Sequence, residues 1–192
     1  MRMKMFRPQT FALSGIVTIA LAIVIGPLLA PPGFSWIQHS TSEQAGQHMP
    51  GAWLMRLGFC AYGLGTMIAA IADWHTRPWV RASLLVFGAG LIATAVWSNS
   101  SIIPDVSSDP LEDRLHSIAS GIVGTAFAAA CAARLFAPQG HARNGLAWLG
   151  LIVAVAVPMA MVEFPEFRGL LQRGMFALSF VFVSREFLNR DQ

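Results

Sequence analysis

The chain has 192 residues, 55% of them hydrophobic and only 12% charged, with a mean hydropathy of +0.56 and a formal net charge of +3. A soluble domain is about 25% charged, so this chain cannot cover itself with polar surface, and a water-soluble globular fold is excluded. Its basic residues sort by side of a membrane instead of forming a patch, which reads as orientation and speaks against nucleic acid as a partner.

Crossing the ~30 Å hydrocarbon core takes about 20 apolar residues. Six stretches meet that need: about 10–30, 51–72, 79–98, 110–136, 145–162 and 168–188. The start, MRMKMFR, resembles the charged region of a signal peptide. The apolar stretch after it is too long for one, so a retained anchor is expected. The fold class predicted is therefore all-α: one polytopic membrane domain over 1–192, a bundle of six transmembrane helices.

Nine of the thirteen Lys and Arg residues fall on one side of these spans: Arg2, Lys4, Arg7, Arg77, Arg81, Arg134, Arg143, Arg185 and Arg190. By the positive-inside rule both termini are cytoplasmic, in a multi-pass protein of the cytoplasmic (inner) membrane. The six tryptophans (Trp36, Trp53, Trp74, Trp79, Trp97 and Trp148) all fall near predicted interfaces. Cys60 and Cys131 lie at different depths in their spans and read as packing residues.

Helices in lipid approach one another through small residues. In the fourth span, Ser117, Gly121, Thr125 and Ala129 form one such row, and Ser120, Gly124, Ala128 and Ala132 a second. This predicts a central place for that helix, with the second span (Gly58, Gly63, Gly65) as its neighbour.

Polar residues collect on the outer side. Seven of ten acids lie there (Glu43, Asp105, Asp109, Glu112, Asp113, Glu163, Glu166), with His39, His48 and His116. Arg56, Arg114 and Arg173 enter the outer part of the bundle from three helices. Charges in a membrane usually face a protein interior or a water-filled cavity, so a shared cavity opening outward is expected, and Glu163 is a candidate partner for Arg56 or Arg173.

Two stretches carry helix-start signals. In STSE, 40–43, Ser40 and Glu43 form a capping box that predicts a short helix over about 41–48, a natural lid. In DPLEDRLHSIAS, 109–120, Asp109 is a good N-cap, Pro110 suits the first position, and Glu112 sits three residues after the cap. Capping accounts for Asp109 and Glu112 but not for His116, about 9 Å further along the axis. Glu112, Asp113 and Ser120 lie near its face of the helix. Such a histidine is a ligand, an acid/base group or a hydrogen bond between helices.

His39, His48 and His116 with these carboxylates are a candidate set for a divalent metal such as zinc, although their spacing matches no recognised local motif. No other cofactor is expected, and no HExxH, GxSxG, P-loop or dinucleotide fingerprint is present.

SWIQHSTSEQ, PGAWLMRLGF and DPLEDRLHSIAS, set between six apolar spans, resemble the membrane family catalogued as domain of unknown function 998. The resemblance covers nearly the whole chain and matches the family's fourth-span histidine to His116. It implies a six-helix integral membrane protein of prokaryotes and carries no established activity.

Three functions stay open. The first is an outward-facing site that binds or processes a lipid or other amphiphile. Its candidates are His116, Asp113 and Glu112 for catalysis, and Arg56, Arg173, Glu43 and Ser120 for ligand contacts. The second is a non-enzymatic accessory or scaffold protein of a membrane complex. The third, transport, is weakened because the inner halves of the spans carry few polar residues.

Overall fold

The computed structural model describes residues 7–137 and 144–188. The expectations for Arg2, Lys4, Arg143 and Arg190 lie outside them. Among the described residues, six long helices and one short one occur, with no strand: α1 (Pro8–Ile25), α2 (Thr41–Gln44), α3 (Ala52–Ala72), α4 (Pro78–Val96), α5 (Pro110–Leu135), α6 (Gly145–Glu163) and α7 (Arg168–Leu188). Short 3₁₀ turns follow α1 (Gly26–Leu29) and precede α7 (Pro165–Phe167). Proline occupies the first position of α1, α4 and α5, where its missing N–H and fixed φ suit a helix start.

Among the described residues, five helices are long and apolar enough to cross a membrane: Pro8–Leu29, Ala52–Ala72, Pro78–Val96, Pro110–Leu135 and Gly145–Glu163. The chain is thus a multi-pass membrane protein. Helix α7 has the same length, but Arg168, Gln172, Arg173, Arg185 and Glu186 make it the least apolar of the six. All six tryptophans are well exposed on the bundle surface.

The long helices form a ring in chain order. Helix α1 packs on α3, α3 on α4, α4 on α5, α5 on α6, α6 on α7, and α7 closes on α1. Aromatic rings fill its interior. Tyr62 meets Phe87 and Phe180 edge-on at 5.5 and 5.2 Å, and Phe127 meets Phe182 at 5.5 Å. The buried Tyr62 hydroxyl donates to Ser179 Oγ (3.1 Å), so this polar tip is satisfied.

Glycine sets the tight side of the ring. A Cβ on Gly15 would lie 2.5 Å from the Ala61 carbonyl oxygen, and one on Gly63 would lie 2.5 Å from that of Gly88. One on Gly65 would strike the Phe11 carbonyl. Thus α3 brings its glycines against α1 and α4, not against α5. The central place predicted for α5 is corrected. Any Cβ on Gly121 or Gly124 would meet nothing within 4 Å. Among the described residues nothing packs on Gly121 or Gly124, and the fully buried residues of α6 lie in its first two turns. There Ala147 and Gly150 are buried, and Gly150 sits against Cys131 Sγ. Further along, α6 turns to Val, Met and Pro158, which lacks the N–H to bond the turn before it.

At the end of the bundle where α6 docks, charges are buried in a network. Glu186 takes ion pairs from Arg77 Nη1 (3.0 Å), Arg81 Nη1 (3.3 Å) and Arg134 Nε (3.0 Å), and Asp73 pairs with Arg81 at 2.6 Å. Buried charges require such pairing. The sequence offered the arginines only as orientation signals, and the two acids were not singled out.

Candidate functional site

The opposite end, capped by α2, holds most of the predicted site residues. The STSE capping box forms as expected, although α2 is shorter than predicted. Glu43 N donates to Ser40 Oγ (3.0 Å) and Ser40 N to Glu43 Oε2 (2.6 Å). The remaining Glu43 oxygen pairs with Arg168 Nη1 at 3.2 Å. Gln172 Oε1 ties α2 to α7 by accepting from Thr41 N (2.7 Å) and Thr41 Oγ1 (2.6 Å).

The acids at the start of α5 are engaged across space. Asp109 Oδ1 caps the helix, accepting from Leu111 N (2.8 Å) and Glu112 N (3.4 Å). Glu112 does not complete a capping box. It accepts from Ser98 N at 2.7 Å, Asp113 accepts from Ser100 N at 2.8 Å, and the Asp109 N–H goes to Gln47 Oε1 instead. His116 Nδ1 lies 2.8 Å from the Trp97 carbonyl oxygen. A carbonyl only accepts, so Nδ1 carries the hydrogen. Buried Nε2 has no partner among the described residues. All three side chains therefore pin the strap after α4 onto α5.

The arginines hold loop backbone too. Arg56 donates to the carbonyls of Ala45 (3.0 Å) and Gly46 (3.1 Å). Arg173 donates to Trp36, His39 and Gly169 carbonyls (2.8, 2.8 and 3.0 Å) and to Gln44 Oε1 (3.3 Å), with its guanidinium 4.8 Å from the Trp36 ring. The expected pairing of either with Glu163 is corrected: Glu163 is exposed, and the hydrogen bonds of both arginines go to neutral oxygens, Arg173 Nε being buried with no partner among the described residues. Arg114 faces outward. The Trp36, His39, Ala45 and Gly46 acceptors are loop carbonyls that needed a partner away from water.

The histidines do not converge. His39 Nδ1 accepts from Ser35 N (2.8 Å) beside Phe34, His48 is exposed at a positive φ of 57°, and His116 is buried under the Trp97 strap. Among the described residues, no three His, Cys, Asp or Glu side chains are grouped to hold a metal ion. The expected polar cavity shared by these groups is replaced by a polar seam that fastens loops.

The cavity lies elsewhere. A space of about 810 Å³ runs between α5, α6 and α7, within the ~300–1,000 Å³ typical of ligand sites. Its floor is aromatic, formed by Phe59, Phe87, Phe127 and Phe176, and its walls include Gly121 and Gly124 of α5 and Val155, Pro158 and Val162 of α6. Gly121, Thr125, Val155 and Val162 are exposed, so the wall is open between α5 and α6. Ser42, Arg168 and Gln172 stand at the α2 end. Of the site residues read from the sequence, Ser120 alone lines this space. Apolar character hid the rest. The readable signal was two rows of small residues on α5 beside a helix that carries Pro158.

A family model described as protein of unknown function (DUF998) matches residues 13–184, and the chain belongs to that family. No curated protein and no solved structure matches the chain.

Proposed function

We propose that this DUF998 member binds a lipid-like amphiphile inside the membrane, with the apolar tail in the cavity between α5, α6 and α7. One observation carries this reading: an 810 Å³ space with an apolar shaft and its polar side chains gathered largely at one end. Such amphipathic lining, with few polar groups fixing orientation, is how ligand sites are usually built. In this reading all six long helices cross the bilayer. Helix α7 turns Arg173 and Glu186 into the ring, where both are buried. Both termini are cytoplasmic, as the Lys and Arg distribution supports, and the α2 end faces outward.

Binding, not chemistry, is the role supported. Glu112 and Asp113 are occupied by Ser98 and Ser100 and His116 Nδ1 by Trp97, and none of the three lines the cavity. Native mass spectrometry of protein extracted gently from membranes tests this. A bound amphiphile is expected on the wild type and is lost on Gly124→Phe, which fills the cavity from an open position. An equal load on both would overturn the reading. Orientation is tested separately by maleimide labelling in a background with Cys60 and Cys131 replaced by alanine. His48→Cys is expected to react from outside, and His75→Cys only after permeabilisation.

A further inference from the structure

We infer that the occupant is an anionic lipid of the surrounding bilayer, held by Arg168 at its headgroup and entering through the gap between α5 and α6. This rests on the cavity reading above and adds a charge to it. Among the described residues that line the cavity, Arg168 is the only charged one. Its side chain is 40% exposed and uses Nη1 on Glu43 at 3.2 Å. A guanidinium has five N–H donors in a fork that suits carboxylate and phosphate, and the contact with Glu43 engages Nη1 alone.

Gln172 and Ser42 add to the same rim. Both hydrogen bonds that Gln172 accepts fall on Oε1, which leaves its amide nitrogen with a contact at the 3.5 Å limit, to Ser42 Oγ. The rim is therefore rich in donors, and no acid lines the space. Donors suit an anion and would leave a choline-type cation unmatched.

The length and opening point to the source. Ser179 lies eleven positions after Arg168 on α7 and both line the cavity, so the shaft is about 16 Å deep at 1.5 Å per residue. That is half of a ~30 Å hydrocarbon core, the reach of one leaflet's tail. The wall opens sideways between α5 and α6, where a second tail can remain in the bilayer. Glu43 competes with the headgroup for Arg168 while its other oxygen holds Ser40 N. Glutamine also serves at that capping position, so Glu43→Gln frees Arg168 and keeps α2.

The test uses the full chain in liposomes with tail-diazirine probes of phosphatidylglycerol, phosphatidylcholine or a fatty acid, and maps adducts on α5 and α6. Wild type is expected to favour phosphatidylglycerol over phosphatidylcholine by about fivefold, the scale of a half-exposed ion pair. Arg168→Gln brings the ratio to about one, Arg168→Lys restores part of it, and Glu43→Gln raises it. Equal labelling by the two phospholipids in wild type overturns the anion inference and leaves the cavity reading standing. Absence of cavity adducts from every probe, or adducts unchanged in Gly124→Phe, overturns the cavity reading itself. Labelling by the fatty acid in place of phosphatidylglycerol overturns the bilayer source.

Discussion

The two walls of the ring use glycine in opposite ways. In α1, α3 and α4, Gly15, Gly63, Gly65 and Gly88 lie where backbone of a neighbouring helix leaves no room for a Cβ. In α5, Gly121 and Gly124 face open space. A small residue permits close approach, and whether a partner arrives depends on the partner. Helix α4 offers Gly88 to Gly63. Helix α6 buries Ala147 and Gly150 near its start and leaves Val155, Met159 and Val162 exposed further along, so its buried contacts gather at one end and the cavity opens at the other.

This comparison can be broken most forcefully at the closed end. Glu186→Gln leaves three arginines around a neutral amide and is expected to cost about 3–5 kcal/mol, read as a large drop in melting temperature in detergent. Because Arg134 of α5 is one of those arginines, the α5–α6 wall should loosen with it. A melting temperature near wild type would mean that the network does not hold the ring.

Next in size is Gly63→Leu. Forcing a side chain against the Gly88 backbone is expected to cost about 1–3 kcal/mol or more. The same leucine at Gly124 is expected to change stability by less than about 0.5 kcal/mol. Equal melting losses at the two positions would erase the difference between the walls.

Smaller again is His116→Ala, which removes one hydrogen bond to the Trp97 strap and is expected to cost about 1–2 kcal/mol. Amphiphile binding should survive it. Loss of binding with the melt unchanged would give His116 a role at the ligand.

The elements themselves were legible. The bounds 168–188 predicted for the sixth span match α7, and STSE gave its capping box, because helix starts are local chemistry. The polar residues were harder. Glu112, Asp113, Arg56 and Arg173 looked like a site since their charges are visible in the sequence. Their partners are backbone amides and carbonyls of distant loops, which no residue letter records. The cavity was harder still: it exists because α6 fails to fill the space beside α5, and only the folded ring reveals that mismatch.

The central claim is that the open α5–α6 wall holds a lipid tail. The most direct measurement is photolabelling of the full chain with a neutral, tail-diazirine lipid, followed by adduct mapping in wild type and Gly124→Phe. Adducts concentrated on the cavity-facing residues of α5 and α6, lost in Gly124→Phe at an unchanged melting temperature, are the predicted result. Adducts of equal yield in the two proteins, or spread evenly over the outer faces of all helices, would contradict it.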